Sequence, residues 1–256
     1  QETNGDFDAA VESLRKKGLA SAAKKAGRIA AEGVVAAASN AQAAVIAEIN
    51  SETDFVARND NFKNFVTAVV NHILTAAPKT VEELMTQKHA SGKAMEEFAK
   101  ENVATIGENI VIHRFERFAA NNNIVHTYIH GEGRIGVIIE ATGSGEAART
   151  AVNDVALHIA AMNPLSLSAD QVPADVVNKE KEILKAKNLE AGKKAEMVDK
   201  IVEGQIKKWL AENCLLEQAF VKNPDVKVAD YLKQNGVTLT QYKRFEMGEG
   251  LEKRQD

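Results

Sequence analysis

The chain is poor in the features that most restrict function. It has one cysteine, Cys214, in 256 residues, so no disulfide can form within it and a reducing compartment, the cytoplasm, is expected. Cys214 lies among Leu210, Leu215 and Leu216, which predicts a packed thiol rather than a reactive one. Aromatic residues make up 5%, too few for a platform on which bases could stack. Basic residues number 32 against 36 acidic ones, a formal net charge of −4. No overall positive field exists to neutralise phosphates, and no direct nucleic-acid partner is expected. No apolar run approaches the length of a bilayer span, so no membrane association is expected.

The usual marks of catalysis are also missing. None of the six histidines, His72, His89, His113, His126, His130 and His158, stands in a zinc-binding spacing. No nucleophile elbow of the G-x-S-x-G type occurs. Gly143-Ser144-Gly145 lacks the Lys-Ser/Thr of a phosphate-binding loop, and Ser91-Gly92-Lys93 lacks the upstream glycine and final hydroxyl. The expectation is a protein with no catalytic residues, no cofactor and no metal, which works by binding.

What the chain does contain is an internal repeat. Ala44-Val45-Ile46-Ala47-Glu48 resembles Gly136-Val137-Ile138-Ile139-Glu140, two β-branched runs of strand character. Each follows a second apolar run across a turn: Val34-Val35 before Ser39-Asn40, and Ile124 to Ile129 before Gly131-Glu132-Gly133. Each pair reads as a β-hairpin. A helix comes next. Phe62, Phe65, Val66, Val69, Val70 and Ile73 form one helical face, and Val152, Val155, Ala156 and Ile159 form another. His72-Ile73 precedes Pro78 as His158-Ile159 precedes Pro164, and the prolines should stop both helices. Arg114-Phe115-Glu116 recurs as Arg244-Phe245-Glu246 in a closing strand. The paired histidines suggest a structural role near the helix ends. The fold class is therefore α+β: two similar subdomains, each with a small antiparallel sheet packed on helices, over 28–118 and over 119–174 with 215–256.

The second copy is interrupted by 175–214, rich in Lys, Glu and Ala. Val176, Val177, Ile183, Leu184 and Leu189 suit one helix; Met197, Val198, Ile201, Val202, Ile206, Trp209 and Leu210 suit another. A break at Ala191-Gly192 predicts a coiled-coil-like helical hairpin, through which a homodimer could form. At the start, Phe7 to Lys17 reads as a short helix with Asp6 or Asn4 as N-cap. It falls within a segment, 1–18, that is followed by a basic linker over 19–27.

The copies differ between hairpin and helix. Glu48 to His72 spans 24 positions, Glu140 to His158 only 18. The six extra residues fall around Asn50-Ser51-Glu52-Thr53-Asp54-Phe55-Val56-Ala57-Arg58. Two readings fit. Thr53 or Asp54 can cap a helical start that puts Phe55 in the core, seven positions before Phe62. Alternatively, the segment is a protruding loop that offers a partner an aromatic ring beside an acid.

The stretch Asn50 to Ala57 resembles the signature of elongation factor Ts, bacterial type. So do Ala22-Ala23-Lys24-Lys25-Ala26-Gly27, Ile106-Gly107-Glu108-Asn109, His130-Gly131 with Arg134-Ile135-Gly136, Phe220-Val221-Lys222, and Arg244-Phe245-Glu246-Met247-Gly248-Glu249-Gly250. These lie in family order over nearly the whole chain. The resemblance implies a guanine-nucleotide exchange factor for the translational GTPase elongation factor Tu. In it, Asp54 and Phe55 would enter the GTPase near its Mg²⁺ and nucleotide, with Thr53 and Val56 beside them. Ile106, Gly107, His130, Val221 and Lys25 would face the partner. It also implies that most of the family's N-terminal helical, UBA-like domain precedes Gln1, with 1–18 as its remnant. The alternative is an RNA- or protein-binding translation accessory module without exchange activity.

Overall fold

The computed structural model describes residues 6–253. The fold is α+β, as the repeat predicts. The first half runs α1 (Phe7–Lys25), β1 (Glu32–Ser39), β2 (Ala43–Ser51), α2 (Asp54–Ala57), α3 (Asp60–Ala76), α4 (Val81–Thr86), α5 (Met95–Ile106) and β3 (Ile110–Ala119). The second runs β4 (Ile124–His130), β5 (Ile135–Thr142), α6 (Gly145–Met162), α7 (Ala174–Glu190), α8 (Ala195–Asn213), β6 (Ala219–Phe220), β7 (Asn223–Lys227), α9 (Val228–Gln234) and β8 (Thr238–Glu246). The main sheets have the orders β1-β2-β3 and β4-β5-β8, so each closes on the strand that carries Arg-Phe-Glu. By contact density the chain forms two compact units, residues 1–140 with 243–256, and residues 141–242.

In the first sheet, β2 lies between antiparallel neighbours and is buried along its whole length. The hairpin turn is closed by Asn40, whose Oδ1 accepts the amides of Gln42 and Ala43 at 2.8 and 2.9 Å. Gly33 sits opposite Asn50 with φ 130°, and a Cβ there would lie 2.2 Å from the Ile49 carbonyl oxygen, so the position requires glycine. The predicted helical face of α3 is buried as a whole, with Ala43, Val45, Ala47 and Ile49 of β2 in the same core. The helix stops at Ala77, which takes a left-handed conformation just before Pro78. α6 ends the same way, with Asn163 left-handed before Pro164 and Val152, Val155, Ala156 and Ile159 buried.

Glu48 is a fully buried charge, and its partners show why it is tolerated. Oε2 accepts from Arg114 Nε at 2.7 Å. Oε1 accepts from the Gly248 amide at 2.7 Å and from Asn50 Nδ2 at 3.1 Å. Arg114 also donates to the Glu246 carbonyl at 3.1 Å and stacks over Phe245, 4.4 Å from the ring centre. The closing Arg-Phe-Glu-Met-Gly segment is thus fastened to the centre of the first sheet.

Two features differ from the sequence reading. First, α1 does not stop near Lys17 but continues through the expected linker to Lys25. The segment Leu19 to Lys25 is rich in alanine, a strong helix former. Gly18 does not break the helix because α5 approaches there: a Cβ on Gly18 would meet that of Ala104 at 3.3 Å. Arg15 pairs with Glu97 and Glu101 of α5. Asp6 is the N-cap, accepting from the Ala9 amide at 3.0 Å, whereas Asn4 lies outside the described residues. Second, the seam between α7 and α8 is narrower than expected. Val198, Val202 and Ile206 are buried against Val177, Leu184 and Leu210, while Ile183, Leu189 and Met197 are exposed. Polar bonds join the helices as well: Asn188 Nδ2, near the end of α7, donates to Gln205 Oε1 of α8, and Lys193 Nζ in the connecting turn donates to Asn188 Oδ1, both at 2.7 Å. Cys214 is buried, and that burial pushes its thiol pKa up, as expected of a packed side chain.

Candidate functional site

The six-residue insertion folds as a single helical turn, α2, followed at once by a new helix. Thr53 caps it, its Oγ1 accepting from the Val56 amide at 3.4 Å. Asn59 then caps α3, accepting from the Asn61 amide at 2.8 Å. This second cap is why Phe55 does not continue the buried face that begins at Phe62: the helix axis restarts between them. Phe55 is 80% exposed. Both sequence readings hold in part, since Thr53 caps a helical start and yet the aromatic ring is outside. Val56 and Ala57 point the other way and pack on the core of the first sheet. Asp54 is exposed beside Phe55, with Arg58 Nη2 3.5 Å from its carboxylate in an exposed i,i+4 pair worth little by itself.

The base of the tip is held much more firmly than its end. Thr53 uses every polar group it has. Its amide donates to Glu108 Oε2 at 3.0 Å and its hydroxyl to Glu108 Oε1 at 2.7 Å. Its carbonyl accepts from Ser51 Oγ at 2.9 Å. A second carboxylate returns the bond in the opposite direction: Glu52 Oε1 accepts from the Asn109 amide at 2.7 Å. Asn109 Nδ2 then donates to the Arg28 carbonyl at 2.8 Å and, more weakly, to that of Ala26 at 3.5 Å. Bonds of charged carboxylates to amides are among the stronger hydrogen bonds in proteins.

This network brings three of the sequence-predicted segments together. Thr53 to Val56 form the tip. Ile106 ends α5 with its side chain on the core, and Gly107 caps that helix at φ 93° with open space where a Cβ would be. Lys25 is half-buried in the last turn of α1, next to the Ala26 carbonyl that Asn109 reaches. His130 is exposed at the end of β4, its Nδ1 3.1 Å from the Tyr128 hydroxyl. The turn after it lines a small hollow through Gly131, Glu132 and Arg134, shared with Asp54, Ala57 and Arg58. A larger open cleft of about 530 Å³ runs along the tip, lined by Ile29, Glu32, Glu52, Thr53, Phe55, Arg134 and Lys253 among others.

Val221 belongs to the other compact unit. It is 40% exposed between β6 and β7, and its amide donates to His158 Nδ1 at 3.1 Å. His158 is fully buried, with Nε2 2.9 Å from Gln218 Oε1. The amide bond requires an unprotonated Nδ1, so the proton sits on Nε2 and the ring is neutral. Burial lowers its pKa, and the bond to Gln218 opposes that only in part. His72, the counterpart in the first repeat, meets Gln87 Oε1 at 3.0 Å. Both repeat histidines therefore hold a glutamine, in keeping with the structural role expected of them. Next to Val221, Lys222 binds Asp154 at 2.5 Å, and Tyr231 donates to the same carboxylate at 2.8 Å. Burial and that carboxylate push the Tyr231 pKa up to about 12.

Sequence reasoning gave Glu52, Glu108 and Asn109 no role. No signal within one sequence ties position 53 to position 108, because the link runs between two loops distant in the chain. Among the described residues no group of histidine, cysteine and carboxylate side chains is arranged to hold a metal ion, and no helix is long and apolar enough to cross a membrane.

Comparison with known proteins places the chain in a family. The family described as Elongation factor TS matches residues 52–249, from the tip to the closing strand segment. An elongation factor Ts of Bdellovibrio bacteriovorus is 55% identical over 98% of this chain and 86% of its own length. Another, from Trichlorobacter lovleyi, is 47% identical over 100% of this chain and 87% of its own. With two sheet-and-helix repeats, a projecting aromatic turn in the first and this identity along nearly the whole length, the chain belongs to the elongation factor Ts family of translation elongation factors.

Proposed function

We propose that the protein is a guanine-nucleotide exchange factor for elongation factor Tu and that it acts by binding, without a covalent reaction of its own. The observation that carries this reading is Phe55, 80% exposed on a turn whose base is clamped by Glu108. A large ring left in water on a rigid support is poorly explained by folding and well suited to insertion into a partner. Burying such a ring in a partner is worth about 1.5–3 kcal/mol.

The energetics follow from linkage. A partner that binds the nucleotide-free GTPase more tightly than the GDP form weakens GDP by the same factor. Phosphate and Mg²⁺ contacts hold nucleotide in such GTPases. Phe55 and Asp54, wedged among the elements that support the metal, would remove charge neutralisation from the bound diphosphate. Speeding GDP release roughly ten-thousandfold requires lowering its barrier by about 5.5 kcal/mol. A few buried hot-spot residues operate on that scale. In this scheme Ile106 and Gly107 flank the tip, Lys25 and His130 extend its contact area, and Val221 serves a second patch held rigid by His158.

The test uses elongation factor Tu loaded with fluorescent GDP. Mixed in stopped flow, the chain should accelerate release strongly, with a rate that saturates as its concentration rises. Release at the spontaneous rate would contradict the proposal and favour an accessory binding module. The formal charge of −4 favours a protein partner over RNA in either case.

A further inference from the structure

The tip has its functional groups at one end and its fastening at the other, and the fastening converges on one side chain. α2 is four residues long, too short to hold its own direction. Its carboxyl end is tied down by Val56 and Ala57 on the core. Its amino end depends on Thr53, and Thr53 depends on Glu108: both oxygens of that carboxylate are engaged, one by the amide and one by the hydroxyl. The hydroxyl that donates to Glu108 is the same atom that caps Val56, so the clamp and the helix cap are a single unit. Glu108 is itself placed by the left-handed turn at Gly107 and by its neighbour Asn109, whose amide is held by Glu52.

We propose that Glu108 is a positioning residue for the Asp54–Phe55 tip: its bidentate hold on Thr53 sets the direction in which Phe55 projects, without contact to the partner's nucleotide site. This rests on the reading that the tip is the exchange element. Positional errors of about 1 Å at a reacting centre can lower rates by large factors, and a wedge that must enter a confined space is subject to the same geometric demand. The pairing of Glu108 with Thr53, and of Glu52 with Asn109, makes the 50–55 and 107–109 turns one bracket, so the Ile106-Gly107 surface and the tip would be presented as a single rigid face.

Four variants of the full chain test this: Phe55→Ala, Glu108→Ala, Glu108→Gln and Thr53→Ala, together with the double variant Glu108→Ala/Thr53→Ala. Maximal GDP release from elongation factor Tu at saturating factor should fall roughly tenfold in Glu108→Ala, with Glu108→Gln intermediate because it keeps one acceptor. The losses in Glu108→Ala and Thr53→Ala should not multiply in the double variant, since one clamp is broken in both. Amide exchange at Thr53 in the free chain should speed up in each Glu108 variant. Glu108→Gln preserves side-chain size and carries the test if Glu108→Ala melts early. Unchanged release in the Glu108 variants beside slow release in Phe55→Ala would overturn the positioning role alone. Fully multiplicative losses, or unchanged exchange at Thr53, would overturn it as well. Unchanged release in Phe55→Ala would remove the reading of the tip beneath it, and the proposal with it.

Discussion

The two repeats start from one plan and put their additions in different places. In the first, the chain leaves β2 and spends extra residues on a capped turn, α2, before α3 begins. In the second, it leaves β5 and enters α6 almost directly, through Gly143 and Ser144. A Cβ on Gly143 would stand 3.2 Å from both the Ala148 Cβ and the Gly236 carbonyl oxygen, so a side chain at this junction would be crowded. The second repeat expands later instead, with the α7–α8 hairpin after α6. The same strand-strand-helix frame thus carries an exposed aromatic turn in one copy and a helical hairpin in the other. On the function proposed above, the frame supplies rigidity and the insertion in the first copy supplies what a partner meets.

If that division is correct, frame residues should govern stability. Phe62 starts the buried face of α3 and is fully enclosed. Phe62→Ala should cost about 3–5 kcal/mol in chemical denaturation, the largest effect expected here. The paired histidines offer a sharper contrast. His158 is fully buried and serves two hydrogen bonds, whereas His72 is half-buried and meets Gln87. His158→Ala should cost about 2–3 kcal/mol by leaving the Val221 amide and Gln218 without it, and His72→Ala no more than about 1.5. Equal losses would mean that the two histidines do equivalent work.

The pH dependence has a definite sign. Burial lowers the pKa of His158 below its ordinary 6.5, and burial followed by His72 does the same to His89. Below 6.5 the unfolded chain takes up protons that the folded chain refuses, so these groups make stability fall as pH drops through that value. Denaturation midpoints measured between pH 7.5 and 5.5 should show this decline, and His158→Ala should flatten it. The smallest effect is expected in the hairpin. Gly204 lies inside α8 with open space where a Cβ would stand, so Gly204→Ala should stabilise by about 0.5–1 kcal/mol.

Much of this was legible in the sequence, for identifiable reasons. Periodicity gave the α3 and α6 faces because their burial is set by one sheet surface. Asn40 and the Gly131–Gly133 turn marked the hairpins, and Pro78 and Pro164 marked the helix ends. Patterning failed where tertiary contact overrides it. Helix α1 runs through Gly18 because α5 needs a close approach there, a fact invisible within residues 7–25. The apolar residues Ile183, Leu189 and Met197 match the spacing of the hairpin seam yet fall outside it. At the tip, sequence pattern allowed Phe55 either in the core or in solvent. Two successive caps, Thr53 and Asn59, decide between them, and Glu108, which anchors the first, lies 55 residues away.

The central claim is that Phe55 serves a partner and not the fold. It is tested most directly by measuring GDP release from elongation factor Tu and thermal unfolding on the same Phe55→Ala protein. The account predicts release slowed by roughly a hundredfold, as for a lost interface hot spot, with unfolding essentially unchanged, as for a surface substitution. Wild-type release, or a melting point lowered as far as that of a core variant, would contradict it.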